Sequence, residues 1–209
     1  MYTPEQQTII DYVATHTGNV KVTSVAGSGK TTLLTAIARF PFVKRGLYFA
    51  YTKAVATEAQ RKFPDTTTCC TTHSLAYQAV VKPYGFTLGV VNYRDVSTRD
   101  YETSSSVIRL FNEFCASAYL SLESFYLDNE VPDNISTLVS ELFHRIESTD
   151  LPCPHNFYLK YFHLLLATGQ LTYEPFDILM LDEAGDLNPV TKAIYDLLPA
   201  IRKIMVGDS

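Results

Sequence analysis

The chain has 209 residues, 46% of them hydrophobic and 19% charged, a globular balance that excludes a wholly disordered or fibrous protein. Its net charge of −5 does not by itself point to a nucleic-acid partner. The distribution says more. Residues 1–64 carry eight Lys+Arg against three Asp+Glu, residues 65–149 five against eleven, and residues 150–209 four against eight, so the basic excess lies at the N-terminal end. Apolar runs such as Leu164–Ala167 fall far short of the ~20 residues of a membrane span, and no membrane partner is expected. The start, Met1-Tyr2-Thr3-Pro4-Glu5, lacks the basic and apolar segments of a secretory signal. Four cysteines in a chain this long fit a reducing compartment, cytoplasmic or nuclear, rather than a disulfide framework.

In chain order, Asn19–Val25 reads as a strand, followed by a glycine turn and a helix from about Lys30 to Phe40, stopped by Pro41. Gly46–Tyr51 is an apolar run of strand length. Ala54–Phe63 has helical composition and ends before Pro64. Thr67–Thr71 is β-branched and cysteine-rich, and Ser74–Val81 looks helical. Strands alternating with helices predict an α/β fold, a parallel doubly wound sheet. The pattern changes after Lys82-Pro83, and residues 84–106 are polar and turn-rich. Val107, Phe111, Phe114, Cys115, Ala118 and Leu122 then recur at helical spacing. So do Ile135, Leu138, Val139, Leu142, Phe143 and Ile146, behind a cap expected at Asp133 or Asn134, and a third helix is expected from near Pro154 to Gly169. Residues 83–170 thus read as a helical insertion into an α/β domain made of residues 1–82 and 171–209. Asp177–Leu181 is a buried strand, Pro189–Leu198 a helix and Lys203–Val206 a strand. A domain rarely stops directly after a core strand, so a fragment of a longer protein is expected.

The motif that carries chemistry is Ser24-Val25-Ala26-Gly27-Ser28-Gly29-Lys30-Thr31, between the first strand and the first long helix. It follows the P-loop pattern G-x-x-x-x-G-K-T/S except that Ser24 replaces the first glycine. Backbone N–H groups of Ala26, Gly27, Ser28 and Gly29 would close around phosphates at a helix N-terminus. Lys30 would reach the β- and γ-phosphates, Thr31 would bind Mg²⁺, and Thr32 would line the same turn. Downstream, the apolar strand Ile178–Leu181 delivers Asp182 and Glu183 at its C-terminal end, where open α/β sheets bind ligands. Asp182 is suited to the Mg²⁺ shell and Glu183 to orienting or deprotonating an attacking water. ATP and Mg²⁺ are the expected cofactors.

Several shorter segments resemble those of superfamily 1 DNA helicases of the UvrD/Rep type. Tyr2-Thr3-Pro4-Glu5-Gln6-Gln7 resembles their Q motif, which places the adenine-reading glutamine at Gln6; Thr3 and Pro4 also make a good helix start. Tyr48–Ala54 with Glu58-Ala59 and Phe63-Pro64 resembles motif Ia, and Thr71-Thr72-His73-Ser74-Leu75-Ala76-Tyr77 motif Ib. Asp182-Glu183-Ala184-Gly185-Asp186 resembles motif II, and Val206-Gly207-Asp208 the start of motif III. Phe63-Pro64 leading into the Thr-His-Ser-Leu-Ala-Tyr run, with Tyr158-Leu159-Lys160, is most similar to the F-box DNA helicase branch. The resemblance implies a RecA-like ATP-binding domain acting on single-stranded DNA. Tyr51 would stack on a base, Lys53 would meet a phosphate, and Thr72 and His73 would touch the DNA backbone. A tyrosine at a strand end and a lone histidine are also common core or capping residues.

Two departures from the family stand out. Gly185 replaces the glutamine of motif II, a side chain that in the family helps link nucleotide to DNA. The second RecA-like domain, which supplies arginine fingers, is missing from these residues, so it is expected as a partner in the same or another chain. Two other classes compete: a P-loop phosphotransferase, which would need a basic lid that the sequence does not show after Asp182, and a short form that binds DNA or a helicase partner without turnover. Cys69-Cys70-x-x-His73 does not read as a metal site, because neighbouring strand residues point to opposite faces and Cys153-Pro154-His155 is isolated.

Overall fold

The computed structural model describes residues 2–23, 29–183, 185 and 187–207. Five strands among them, β1 (Gly18–Thr23), β2 (Gly46–Phe49), β3 (Thr67–Cys70), β4 (Phe176–Leu181) and β5 (Ala200–Gly207), form one sheet in the order β1-β5-β4-β2-β3. Every pairing is parallel, and helices flank the sheet, so the expected parallel α/β architecture is the observed one. Burial explains the order. All four residues of β2 and the run Ile178–Leu181 of β4 are buried, as a strand covered on both faces requires. β1 lies at an edge and exposes Asn19, Lys21 and Thr23, which tolerates a polar alternation. No helix among the described residues is long and apolar enough to cross a membrane.

The chain divides into two compact units. The first comprises residues 1–72, 173–187 and 198–209. It holds the sheet with α1 (Pro4–Thr15), α2 (Lys30–Ala38) and α3 (Lys53–Gln60). Leu33, Leu34 and Ile37 of α2 pack into one apolar cluster with Ile178 and Met180 of β4 and Ile204 and Val206 of β5. Asp177 at the start of β4 accepts the backbone N–H groups of Lys44 and Arg45 at 2.7 and 2.8 Å, tying the turn before β2 to β4. Arg202 of β5 donates to the carbonyl of His16 at 2.9 Å and lies 4.1 Å from the Phe42 ring.

The second unit comprises residues 73–172 and 188–197. A continuous helical path runs from α4 (Thr72–Ala76) through a π-helical turn, Tyr77–Val81, into α5 (Lys82–Tyr84). Then come α6 (Tyr101–Ala116), α7 (Leu122–Asp128), α8 (Asp133–Glu147), α9 (His155–Ala167) and α10 (Pro189–Leu197). Phe111, Phe114, Phe143 and Phe157 make its aromatic centre, with ring centroids 4.8–6.5 Å apart in tilted, edge and stacked contacts.

Three details depart from the expected pattern. α6 starts at Tyr101, inside the segment read as turn-rich, because the Asp100 carboxylate caps it by accepting the Thr103 N–H at 2.8 Å. The periodic run to Leu122 is two helices. Ser117 turns extended at ψ 167, Lys160 takes the carbonyls of Ser117 and Tyr119, and Ser121 caps α7. The cap of α8 is Pro132, whose carbonyl accepts from Ile135 and Ser136 at 2.9 Å.

Lys160 is fully buried, with its ammonium 4.3 Å from the Phe114 ring. Burial lowers its pKa to about 8, opposed by the Cys115 thiol. One turn on, His163 is buried with its Nδ1 unpartnered. Burial and the Lys160 charge lower its pKa from 6.5 to about 4. Between those values the unfolded chain binds a proton that the folded unit excludes, so the stability from neutral His163 is complete above pH 6.5 and is lost as the pH falls toward 4. Urea unfolding at pH 7 and pH 5 should therefore show a smaller acid loss of stability for His163→Leu than for the parent chain. Equal losses in the two proteins would contradict this account of His163.

Candidate functional site

Parallel strands bring their C-terminal ends to one edge of the sheet, and the segments after β1 and β4 carry the two sequence motifs. Of the phosphate motif, Ser24, Val25, Ala26, Gly27 and Ser28 lie outside the described residues, as does Asp208. Gly29, Lys30, Thr31 and Thr32 are described. Gly29 caps α2 in the left-handed conformation, φ 81 and ψ 31, which only glycine adopts without strain. Gln6 sits at the start of α1 in a capping box. Its Oε1 accepts the Thr3 N–H at 3.1 Å while its own N–H donates to Thr3 Oγ1 at 3.2 Å. Its Nε2 lies 2.8 Å from where a Cβ on Gly29 would stand. The N-terminal glutamine and the start of α2, 23 positions apart, are thus in contact, and the capping box fixes the glutamine's direction.

Asp182 and Glu183 follow β4. Asp182 is 6% exposed, and its N–H still pairs with the Phe49 carbonyl at 3.2 Å. Its Oδ1 accepts the Glu183 N–H at 3.0 Å and its Oδ2 accepts the Tyr48 phenol at 2.8 Å. Tyr48 is wholly buried in β2 and packs against Phe63, with ring centroids 4.7 Å apart. Burial and the adjacent Asp182 charge push its pKa well above the usual range. Glu183 has φ 55, a left-handed backbone at a non-glycine residue. Such a conformation costs about 1–3 kcal/mol and collects at functional positions.

β5 lies between β1 and β4, so with a strand spacing of about 4.8 Å the two motifs leave the sheet roughly 10 Å apart. Their side chains close that gap. Lys30 Nζ stands 3.7 Å from Glu183 Oε2, with the lysine side chain 9% exposed and the glutamate 45%. Among the described residues no Lys, Arg or His pairs with Asp182. A buried carboxylate without a cation is costly. The Asp182 carboxylate oxygens suit a hard divalent ion, and Thr31 on the first turn of α2 carries a hydroxyl of the same hard-oxygen type. The residues present therefore fit Mg²⁺. A cleft of about 320 Å³ beside α2 is lined by Tyr2, Thr31, Thr32, Thr35, Arg39 and Lys62, among others.

Of the residues expected at DNA, Tyr51 is 61% exposed just past β2, so it is not a core residue. Lys53, also exposed, opens α3 behind Thr52, whose hydroxyl accepts the Val55 N–H at 3.2 Å. Thr72 is buried. His73 belongs to the second unit, reaches the surface, and sets its ring edge-on to Tyr158 with centroids 6.0 Å apart. Surrounding protein mass and the His155 ring keep its pKa below the ordinary value. Burial pushes the thiols of Cys69 and Cys70 up to about 12, which leaves them neutral at pH 7.

Sequence reasoning missed Tyr48 as a site residue. The available signal was a hydroxyl on an otherwise apolar buried strand, since a buried tyrosine oxygen needs a partner. It also missed Arg39 and Lys62 at the cleft, which carry no motif.

No family model matches the chain. F-box DNA helicase 1 of Gallus gallus is 39% identical over 82 residues, 39% of this chain and 8% of that protein. F-box DNA helicase protein 1 of Schizosaccharomyces pombe is 35% identical over 79 residues, 38% of this chain and 9% of that protein. The chain covers under a tenth of the length of these curated relatives. The similarity marks a helicase-related region.

The contact between Gln6 and Gly29 makes a direct test of this geometry. Gly29→Ala should lower stability by about 1–3 kcal/mol, from the left-handed backbone and the clash with the amide. Gln6→Ala removes the clash together with the capping bond from the Thr3 N–H, so Gly29→Ala should cost less in a Gln6→Ala background than in the parent chain, read by denaturant unfolding. An alanine at 29 that costs nothing would contradict the described cap.

Proposed function

We propose that this chain is the N-terminal ATP-binding motor domain of an ATP-dependent superfamily 1 DNA helicase. The observation that carries the reading is the pairing of Lys30 with Glu183 at 3.7 Å beside the buried Asp182. A lysine at the start of a helix after β1 and two carboxylates after β4 thus share one site, in a chain with a helicase-related region.

In this reading ATP phosphates take the place of Glu183 as the partner of Lys30, and the N-terminus of α2 adds its dipole. Thr31 and Asp182 hold Mg²⁺, which when bound neutralises charge on the β- and γ-phosphates. Freed from Lys30, the Glu183 carboxylate orients the attacking water and takes its proton. Gln6 offers an amide, donor and acceptor at once, to the adenine edge, and the cleft beside Thr32 and Arg39 takes the base and ribose. Tyr51 stacks on a base of single-stranded DNA and Lys53 meets a phosphate. A second RecA-like domain, in the same polypeptide or another, supplies the arginine finger, worth about 10³–10⁵ in rate.

A second reading, a P-loop protein that binds DNA or a helicase partner without turnover, is favoured by Gly185, where the family has glutamine. A Cβ there would meet nothing within 4 Å among the described residues, so their packing does not demand the glycine.

ATP hydrolysis measured with and without single-stranded DNA separates these readings. Because the arginine finger belongs to the second domain, the motor reading expects these residues alone to release phosphate only weakly, a release that DNA stimulates and Lys30→Ala abolishes, with Tyr51→Ala weakening DNA binding by about 1–3 kcal/mol. Mg²⁺-dependent ATP binding with no release even when DNA and a second RecA-like domain are both supplied supports the second reading. Phosphate release that survives Lys30→Ala contradicts both.

A further inference from the structure

We propose that Tyr48 is a positioning residue for the metal-binding carboxylate: its phenol, donated to Asp182 Oδ2, fixes the orientation in which Asp182 holds Mg²⁺ with ATP. The proposal rests on the nucleotide reading above and adds a residue to it.

Register creates the contact. β2 and β4 pair with Tyr48 opposite Met180. Asp182 stands two residues beyond Met180, so in an extended chain its side chain leaves the same face as that of Met180. Tyr48, Ile178 and Met180 indeed share one apolar cluster. A phenol is long enough to pass over Met180 and meet the carboxylate at 2.8 Å.

The hydroxyl has no packing purpose. Its strand neighbours Leu47 and Phe49 are apolar and buried, and phenylalanine would fill the same volume against Phe63. What tyrosine adds is one donor, and a buried donor is costly unless it is used. It is spent on Asp182. The carboxylate then has one oxygen fixed by Tyr48 and the other by the Glu183 N–H. Each oxygen keeps lone-pair capacity for a cation, while the carboxylate plane cannot turn without breaking a bond. The tyrosine cannot follow such a turn, because it is wholly buried and its ring packs tilted against Phe63. Outer partners of this kind typically govern metal affinity by about 10–100-fold.

The test is the Mg²⁺ concentration that half-restores ATP binding, read by calorimetry or a fluorescent ATP analogue, with binding in EDTA as the baseline. Tyr48→Phe should raise that midpoint about 10-fold and leave the EDTA baseline unchanged. Phe63→Leu, which loosens the packing of the same ring and keeps the hydroxyl, should lower stability and leave the midpoint where it is. If Tyr48→Phe does not fold, Tyr48→Met replaces it, an adaptable apolar side chain with no donor for Asp182, so the same rise is expected. An unchanged midpoint in the Tyr48 variant, or an equal rise in Phe63→Leu, overturns the positioning role while the nucleotide reading stands. A parent chain that binds no ATP at any Mg²⁺ concentration overturns the nucleotide reading and this proposal together.

Discussion

A carboxylate taken out of water at the end of a buried strand must be held by hydrogen bonds, because a buried polar group left unpaired is costly. Asp182 meets this constraint with the Tyr48 phenol and the Glu183 N–H, with its own N–H still in the sheet ladder. The rest of the first unit serves that arrangement. β2 must run parallel to β4 in a register that sets Tyr48 opposite Met180. β2 and the Ile178–Leu181 run of β4 must be buried, because both strands lie inside the sheet. Asp177, at the other end of β4, holds the turn that feeds β2, so the two strands are fixed relative to one another at both ends.

The same edge of the sheet explains why Lys30 and Glu183 meet. A left-handed Gly29 turns the chain into α2 with Lys30 as its first helical residue, and a left-handed Glu183 turns its carboxylate back toward β1. Two left-handed backbone positions thus hold a lysine and a glutamate across an intervening strand. A charged pair with the lysine mostly buried is poor evidence for stability. In the nucleotide reading proposed above, Lys30 exchanges Glu183 for the phosphates of the ligand.

Much of this was legible in the sequence. β2 and β4 are short apolar runs, and the lysine-containing turn has its glycines in a strand–turn–helix setting, so the sheet and the residues at its edge could be named. What could not be read was decided by long-range contacts. The break after Ala116 depends on Lys160, 43 positions away from Ser117, whose ammonium takes carbonyls that a continuing helix would have used. The cap at Asp100 hid the start of α6, because Thr103 and Ser104–Ser106 look like a polar turn until the capping bond is known. Tyr48 looked like one more strand aromatic, since nothing local tells which strand residue its hydroxyl faces. Gln6 was placed at the nucleotide by family resemblance, and its amide does lie against Gly29, which a reading by periodicity alone would not have found.

The measurement that bears most directly on the account is calorimetric titration of the chain with ATP in the presence of Mg²⁺, beside Lys30→Ala and Asp182→Asn. The account predicts binding in the parent chain, loss of it in Lys30→Ala, and in Asp182→Asn a residual affinity that no longer responds to Mg²⁺. Binding of equal strength in all three proteins, or none in the parent chain, would contradict the claim that the ends of β1 and β4 form a nucleotide site.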